Sequence, residues 1–131
     1  MRVGISLLTL APSDLGGSET YARQLTRTLA TVGTHEYTAF VPARAKDAAG
    51  GLSTVEVRDT PAATRGPSRI PALAISSLRS REVRSELDHL DVVHYALTVP
   101  LPRTDLPTVV TLHDVQPVSY THLTLPTILR V

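Results

Sequence analysis

Residues 2–33 read RVGISLLTLAPSDLGGSETYARQLTRTLATVG, and this stretch decides the fold class. Its first nine residues, after the initial Arg2, form an apolar run with polar side chains only at Ser6 and Thr9, which is typical of a central strand buried on both faces of a parallel sheet. After a loop rich in Pro, Ser, Asp and Gly, apolar residues recur at helical spacing. Ser18 is predicted to cap this helix and Gly33 to end it.

The remaining chain continues the alternation of strands and helices. A second, weaker helix is predicted at 71–88, a loop at 43–51, and further strands at 36–42, 53–59, 91–97 and 108–115. The order β-α-β-β-α-β-β predicts an α/β protein with a Rossmann-like open, mostly parallel sheet. The strand at 53–59 alternates in polarity, so we expect it at an edge of the sheet or antiparallel.

Composition narrows the functional classes. The chain has 131 residues, 42% of them apolar, with a formal net charge of +1 and no cysteine, so we expect no nucleic-acid partner and no disulfide framework. No apolar run reaches the about 18 residues of a membrane span. We therefore expect a cytoplasmic protein. Peripheral contact with the inner membrane face stays open because arginines are dense in one region, at Arg65, Arg69, Arg79, Arg81 and Arg84.

Gly16 and Gly17 lie between the first strand and the first helix, where open α/β sheets bind ligands. Without Cβ atoms, they let a ligand approach the backbone, and the free N–H groups at the helix start suit a phosphate or carboxylate. A simple turn from strand to helix explains the same two glycines. Neither a dinucleotide G-x-G-x-x-G pattern nor a Walker A lysine is present.

His113 and Asp114 follow the last predicted strand, at the same edge of the sheet. An imidazole there can hydrogen-bond a sugar hydroxyl or move a proton, and the carboxylate can orient it. A surface His-Asp pair at a strand end is the alternative. His94 lies within a predicted strand and is interpreted as a core histidine satisfied by hydrogen bonds. The two histidines lack a third ligand, so no metal site is expected.

Four segments occur in an order that resembles the N-terminal domain of family 4 glycosyltransferases, retaining enzymes of the GT-B fold. They are RVGIS, GGSETYARQLTRTLATVG, DVVHYALTVPLP and LPTVVTLHDVQ. The resemblance implies the N-terminal, acceptor-side half of a GT-B fold. It also implies a hexosyltransferase-type reaction that moves a sugar from a nucleotide-sugar donor to a glycan, lipid or small-molecule acceptor. The family generally needs no metal, and no cofactor is expected.

The resemblance also implies roles for individual residues. Gly16 and Gly17 would approach the donor diphosphate, His113 would contact the transferred sugar, and Asp114 would support that region. Glu19 and Tyr21 would lie toward the acceptor.

The chain departs from the family at its end. A family member's C-terminal domain, with basic phosphate contacts and paired glutamates, is not present, so we interpret 1–116 as a truncated N-terminal domain that is inactive alone. Residues 117–131 are interpreted as a non-native tail, because Val118 to Thr127 resembles a translated transposase adapter from sequencing libraries. The alternative function is a stand-alone Rossmann-like module that binds a phosphorylated ligand at Gly16–Gly17.

Overall fold

The computed structural model describes residues 1–12, 16–58, 75 and 80–113. In chain order the elements are β1 (Arg2–Ser6), α1 (Gly17–Val32), β2 (Glu36–Pro42), a 3-10 helix (Ala43–Ala49), β3 (Ser53–Val57), α2 (Arg81–Leu87), β4 (Val92–Tyr95) and β5 (Thr108–Val110). Each predicted strand is confirmed, and four of the five are shorter than predicted. Of the helix predicted at 71–88, the structure describes residue 75, which is helical, and the segment from Ser80, which caps α2, to residue 88; the rest lies outside the described residues. None of the helices in these ranges is long and apolar enough to cross a membrane.

The five strands form one sheet in the order β3-β2-β1-β4-β5, and every neighbouring pair is parallel. This confirms the Rossmann-like α/β class, with the chain passing outward from β1 in both directions. The strand β3 lies at one edge and runs parallel to β2, which settles the two possibilities left open by its sequence.

Both faces of the sheet are covered, which explains why the central strand has apolar residues facing both sides. On one face, Ile5 and Val41 belong to a buried cluster with Ala22 of α1. On the other face, Phe40 and Val93 belong to a second cluster with Val83 of α2. Successive residues of a strand point to opposite faces, so a strand between two helical layers needs apolar residues at consecutive positions.

The predicted Ser18 cap of α1 is wrong. The residue before the helix is Gly16, with φ 52° and ψ −118°, and no side chain caps the first turn. This backbone conformation is open to glycine and strained for any residue with a Cβ, so the chain enters the helix at Gly16 and Ser18 falls inside the first turn. Glu19 in that turn is favourably placed for the helix dipole.

The segment 43–51, predicted as a loop, instead contains the 3-10 helix. Three of its four alanines, Ala45, Ala48 and Ala49, are buried against the sheet and α1, because a methyl side chain lets two backbones approach closely. The Thr26 hydroxyl of α1 donates a hydrogen bond to the Ala48 carbonyl at 2.7 Å. This short segment mixes alanines with charged residues and has no apolar periodicity, so it gave no helix signal in the sequence.

Candidate functional site

The predicted site residues that the structure describes lie at the carboxyl edge of the parallel sheet. All strands end there, α1 begins there after β1, and Thr111 and His113 follow β5 there. The Thr111 amide donates to the Tyr95 carbonyl at 3.0 Å, which extends the β4–β5 pairing by one further hydrogen bond and holds this segment against β4. Open α/β sheets bind ligands at this edge.

Gly16 and Gly17 lie at the start of α1 and are both exposed. A Cβ built on either glycine would meet no atom within 4 Å, so no packing contact requires glycine at these two positions. The positive φ of Gly16, in contrast, does favour glycine at that position. The amide groups of the first helical turn face outward. The backbone here is accessible to a ligand, as the sequence predicts for a phosphate or carboxylate site.

The His113 ring is fixed at two points. Its Nε2 atom lies 2.6 Å from the Ala96 carbonyl oxygen, directly after β4. A carbonyl oxygen can only accept, so Nε2 carries the proton, and in the neutral ring Nδ1 is left as a hydrogen-bond acceptor. The Tyr21 ring of α1 packs against the imidazole edge-on, with 4.9 Å between the ring centroids. His113 and Tyr21, predicted separately, therefore form one cluster.

A series of hydrogen-bonded side chains that the sequence did not predict connects this pair to β4. The Thr111 hydroxyl oxygen lies 2.8 Å from Nε2 of His94 and 3.5 Å from the Tyr21 hydroxyl. His94 is half-buried within β4, and burial lowers the pKa of its imidazole below the ordinary value. Val109 pairs in register with His94, so the period-2 alternation of a strand places Thr111 on the same face. That alternation is the sequence signal by which Thr111 could have been found.

The Glu19 side chain does not share the partner of Tyr21 and pairs with Arg23 instead. Its carboxylate is 3.0 Å from the Arg23 guanidinium, which in turn is 2.7 Å from Asp47 of the 3-10 helix. Burial opposes the charge of Arg23, but hydrogen bonds and charge from Asp47 and Glu19 outweigh it, so the pKa of Arg23 is raised. The bridge ties α1 to the 3-10 helix. The acceptor-side role of Glu19 stays a prediction.

Asp114 lies outside the described residues, so its predicted role beside His113 stays a prediction. Within the described ranges, no group of three or more His, Asp or Glu side chains is arranged to hold a metal ion. An open groove of about 500 Å³ lies along the β4–β5 connection and contains none of the predicted site residues. It is lined by Tyr95, Pro100, Arg103, Thr104, Asp105 and Thr108.

The sequence model of the family described as Glycosyltransferase Family 4 matches residues 15–130. The chain belongs to glycosyltransferase family 4. The resemblance expected from the four sequence segments is thus confirmed at the level of the family, and the sheet agrees with the N-terminal part of a GT-B fold. Searches of curated proteins and of solved structures found no match.

Family membership places this glycosyltransferase domain among proteins that transfer sugars from a donor to an acceptor. The matched range begins just before Gly16 and includes both glycines, α1 and His113. It also includes most of 117–131, and the interpretation of that segment as a non-native tail stays a prediction.

Proposed function

We propose that the chain is the acceptor-side domain of a retaining glycosyltransferase. The complete enzyme would move a sugar, of the hexose type, from a nucleotide-sugar donor to a glycan, lipid or small-molecule acceptor. A second α/β domain would supply the nucleotide-sugar site, so the 131-residue chain alone would not transfer sugar. In this proposal Gly16 and Gly17 approach the donor diphosphate, and His113, Asp114, Glu19 and Tyr21 keep the roles that the family resemblance implies.

One observation carries the proposal: the His113–Tyr21 pair lies at the carboxyl edge of the sheet, at which α1 also starts with an open glycine backbone. Tyr21 is four residues after Gly17, a rise of about 6 Å along a helix axis. A sugar diphosphate is long enough to contact the His113 ring with its sugar and the helix start with its phosphates.

The geometry suits the charges of glycosyl transfer. Positive charge develops on the sugar ring and negative charge on the departing diphosphate. The amide groups at the start of α1 are preorganised donors that stabilise the negative charge. The His113 ring, with Nε2 committed to the Ala96 carbonyl, presents Nδ1 as an acceptor for a sugar hydroxyl. In this proposal these contacts position the donor and stabilise the leaving group.

The open backbone at Gly16–Gly17 also favours the second candidate, a stand-alone module for a phosphorylated ligand. Whether the reading frame continues into a second domain distinguishes the two candidate functions. Resequencing the locus from source DNA past the Gln116 codon should reveal a frame that continues into a second α/β domain with basic phosphate contacts and paired glutamates. Recovery of the same tail and a stop codon from independent DNA would support the stand-alone module instead.

The direct test is sugar transfer by the protein encoded in the continuous frame, assayed against a panel of nucleotide sugars, with the product anomer assigned by NMR. His113→Ala should reduce kcat at least about 100-fold, the effect expected when one positioned hydrogen-bonding group is removed from a transfer site. His89→Ala is the matched control, because His89 is exposed and bonds the Ser85 carbonyl at the end of α2. Unchanged turnover in His113→Ala would remove His113 from the mechanism.

A further inference from the structure

His94 and Thr111 connect the sheet interior to the His113 ring. Thr111 has a single hydroxyl proton, and its oxygen lies between two partners, Nε2 of His94 at 2.8 Å and the Tyr21 hydroxyl at 3.5 Å. The Tyr21 ring then contacts His113 edge-on. The path from His94 of β4 to the His113 imidazole therefore consists of two hydrogen-bonding contacts and one ring contact.

We propose that His94 is a positioning residue that, through Thr111, holds the Tyr21 ring against His113. Through the same contacts, the protonation state of His94 changes the environment of the His113 ring. The coupling itself follows from the geometry of these four side chains. Its relevance to sugar transfer rests on the proposed function of His113.

The direction of the hydrogen bonds gives the coupling its pH dependence. When His94 is neutral with the proton on Nδ1, Nε2 accepts from the Thr111 hydroxyl, and Thr111 in turn accepts from the Tyr21 hydroxyl. When His94 is protonated, Nε2–H donates to Thr111, and the Thr111 proton is free to point to Tyr21. Starting from this Nδ1–H tautomer, protonation of His94 reverses the polarity of both hydrogen bonds and changes the environment of the Tyr21 ring.

The residues paired in register with His94 on the neighbouring strands are uncharged. In register on the neighbouring strands are Ile5 of β1 and Val109 of β5. From α1, the Tyr21 hydroxyl reaches the Thr111 hydroxyl, and from the segment after β5, His113 packs against the Tyr21 ring. Glu19 and Arg23 of α1 pair with each other. Burial is what lowers the pKa of His94, so the reversal is expected below the ordinary histidine range.

The experiment is an NMR pH titration of the histidine ring protons in the 131-residue chain, which needs no substrate and no turnover. In the wild type the His113 ring signals should show a second inflection at the pH where His94 titrates. Thr111→Val removes the hydroxyl at nearly constant volume and should abolish that second inflection. Thr111→Ser retains the hydroxyl and should restore it, which a purely steric role of Thr111 would not predict.

Tyr21→Phe provides an independent variant, because it removes only an exposed hydroxyl and preserves the ring. It should also abolish the second inflection at His113. A wild-type His113 that titrates without any inflection at the His94 pKa, or an inflection that survives in Tyr21→Phe, would overturn the proposal. If the coupling is present but His113→Ala transfers sugar normally, the positioning chain stands and the proposed function fails. The reverse outcome, no coupling with an essential His113, would reject only the positioning role.

Discussion

At the scale of single residues, Gly33 ends α1 because of space rather than backbone conformation. Its φ of −62° and ψ of 141° are open to any residue. A Cβ at this position would lie 2.4 Å from the Leu29 carbonyl oxygen and 2.4 Å from Cε2 of the Tyr37 ring. The ring could shift, but the carbonyl belongs to the helix backbone and accepts the Gly33 amide at 2.9 Å. The chain passes from helix to strand through a gap too narrow for a methyl group.

Gly33→Ala should therefore lower the free energy of unfolding by about 1–3 kcal/mol, the usual cost of forcing an extra carbon into a packed site. Gly17→Ala is the matched control, since a Cβ there meets nothing within 4 Å and its effect should stay within about 0.5 kcal/mol. Both are measured by urea unfolding. Equal effects of the two substitutions would show that the helix end can yield and that the crowding at Gly33 has no energetic consequence.

At the scale of elements, a buried polar contact joins α1 to the 3-10 helix. The Thr26 side chain is fully buried, and its hydroxyl donates to the Ala48 carbonyl at 2.7 Å as well as lying 3.1 Å from the Arg23 carbonyl. Buried carbonyl groups that lose a donor keep their desolvation cost. The Glu19–Arg23–Asp47 bridge joins the same two elements at the surface, where ion pairs contribute less.

Thr26→Val preserves the shape of the side chain and removes the donor, so it should destabilise the fold by about 1–3 kcal/mol. Thr28→Val, on the exposed side of the same helix, is the control for the change in helix propensity. Thermal or urea unfolding of the two variants, compared with the wild type, isolates the buried hydrogen bond. A Thr26→Val protein as stable as Thr28→Val would mean that water or another donor replaces the hydroxyl.

These elements also show what the sequence could predict. The parallel α/β sheet followed from unbroken apolar strands such as β1 and from the helical spacing of Ala22, Leu25 and Leu29. The 3-10 helix was missed because its alanines have no periodicity, and their burial depends on contacts with α1 that no local pattern contains. Gly16–Gly17 and His113 were found from their positions at strand ends. The hydrogen-bonded path from His94 through Thr111 to Tyr21 was missed, because predicting it requires knowing the register between β4 and β5.

At the scale of the whole molecule, the two edges of the sheet differ. At the β3 edge, Glu56 forms a 3.5 Å ion pair with Lys46, and charged side chains discourage pairing between sheet edges. At the β5 edge, Val109 and Val110 point to opposite faces and are 52% and 43% exposed, and Leu112 is 64% exposed. Among the described residues β5 has a strand partner on one side only. The β5 edge therefore presents both apolar side chains and unpaired backbone groups.

We expect this edge to drive self-association of the 131-residue chain. Val110→Lys should weaken the association by about tenfold or more, because burying a valine side chain contributes up to about 1.5–3 kcal/mol and an edge lysine opposes strand pairing. Val32→Lys is the control, since Val32 is 66% exposed at the end of α1, away from the edge. Sedimentation velocity over a concentration series measures both variants. A wild-type chain that sediments as a monomer at every concentration and melts cooperatively would contradict the expectation, because the apolar side chains of β5 would then be tolerated in water without a partner.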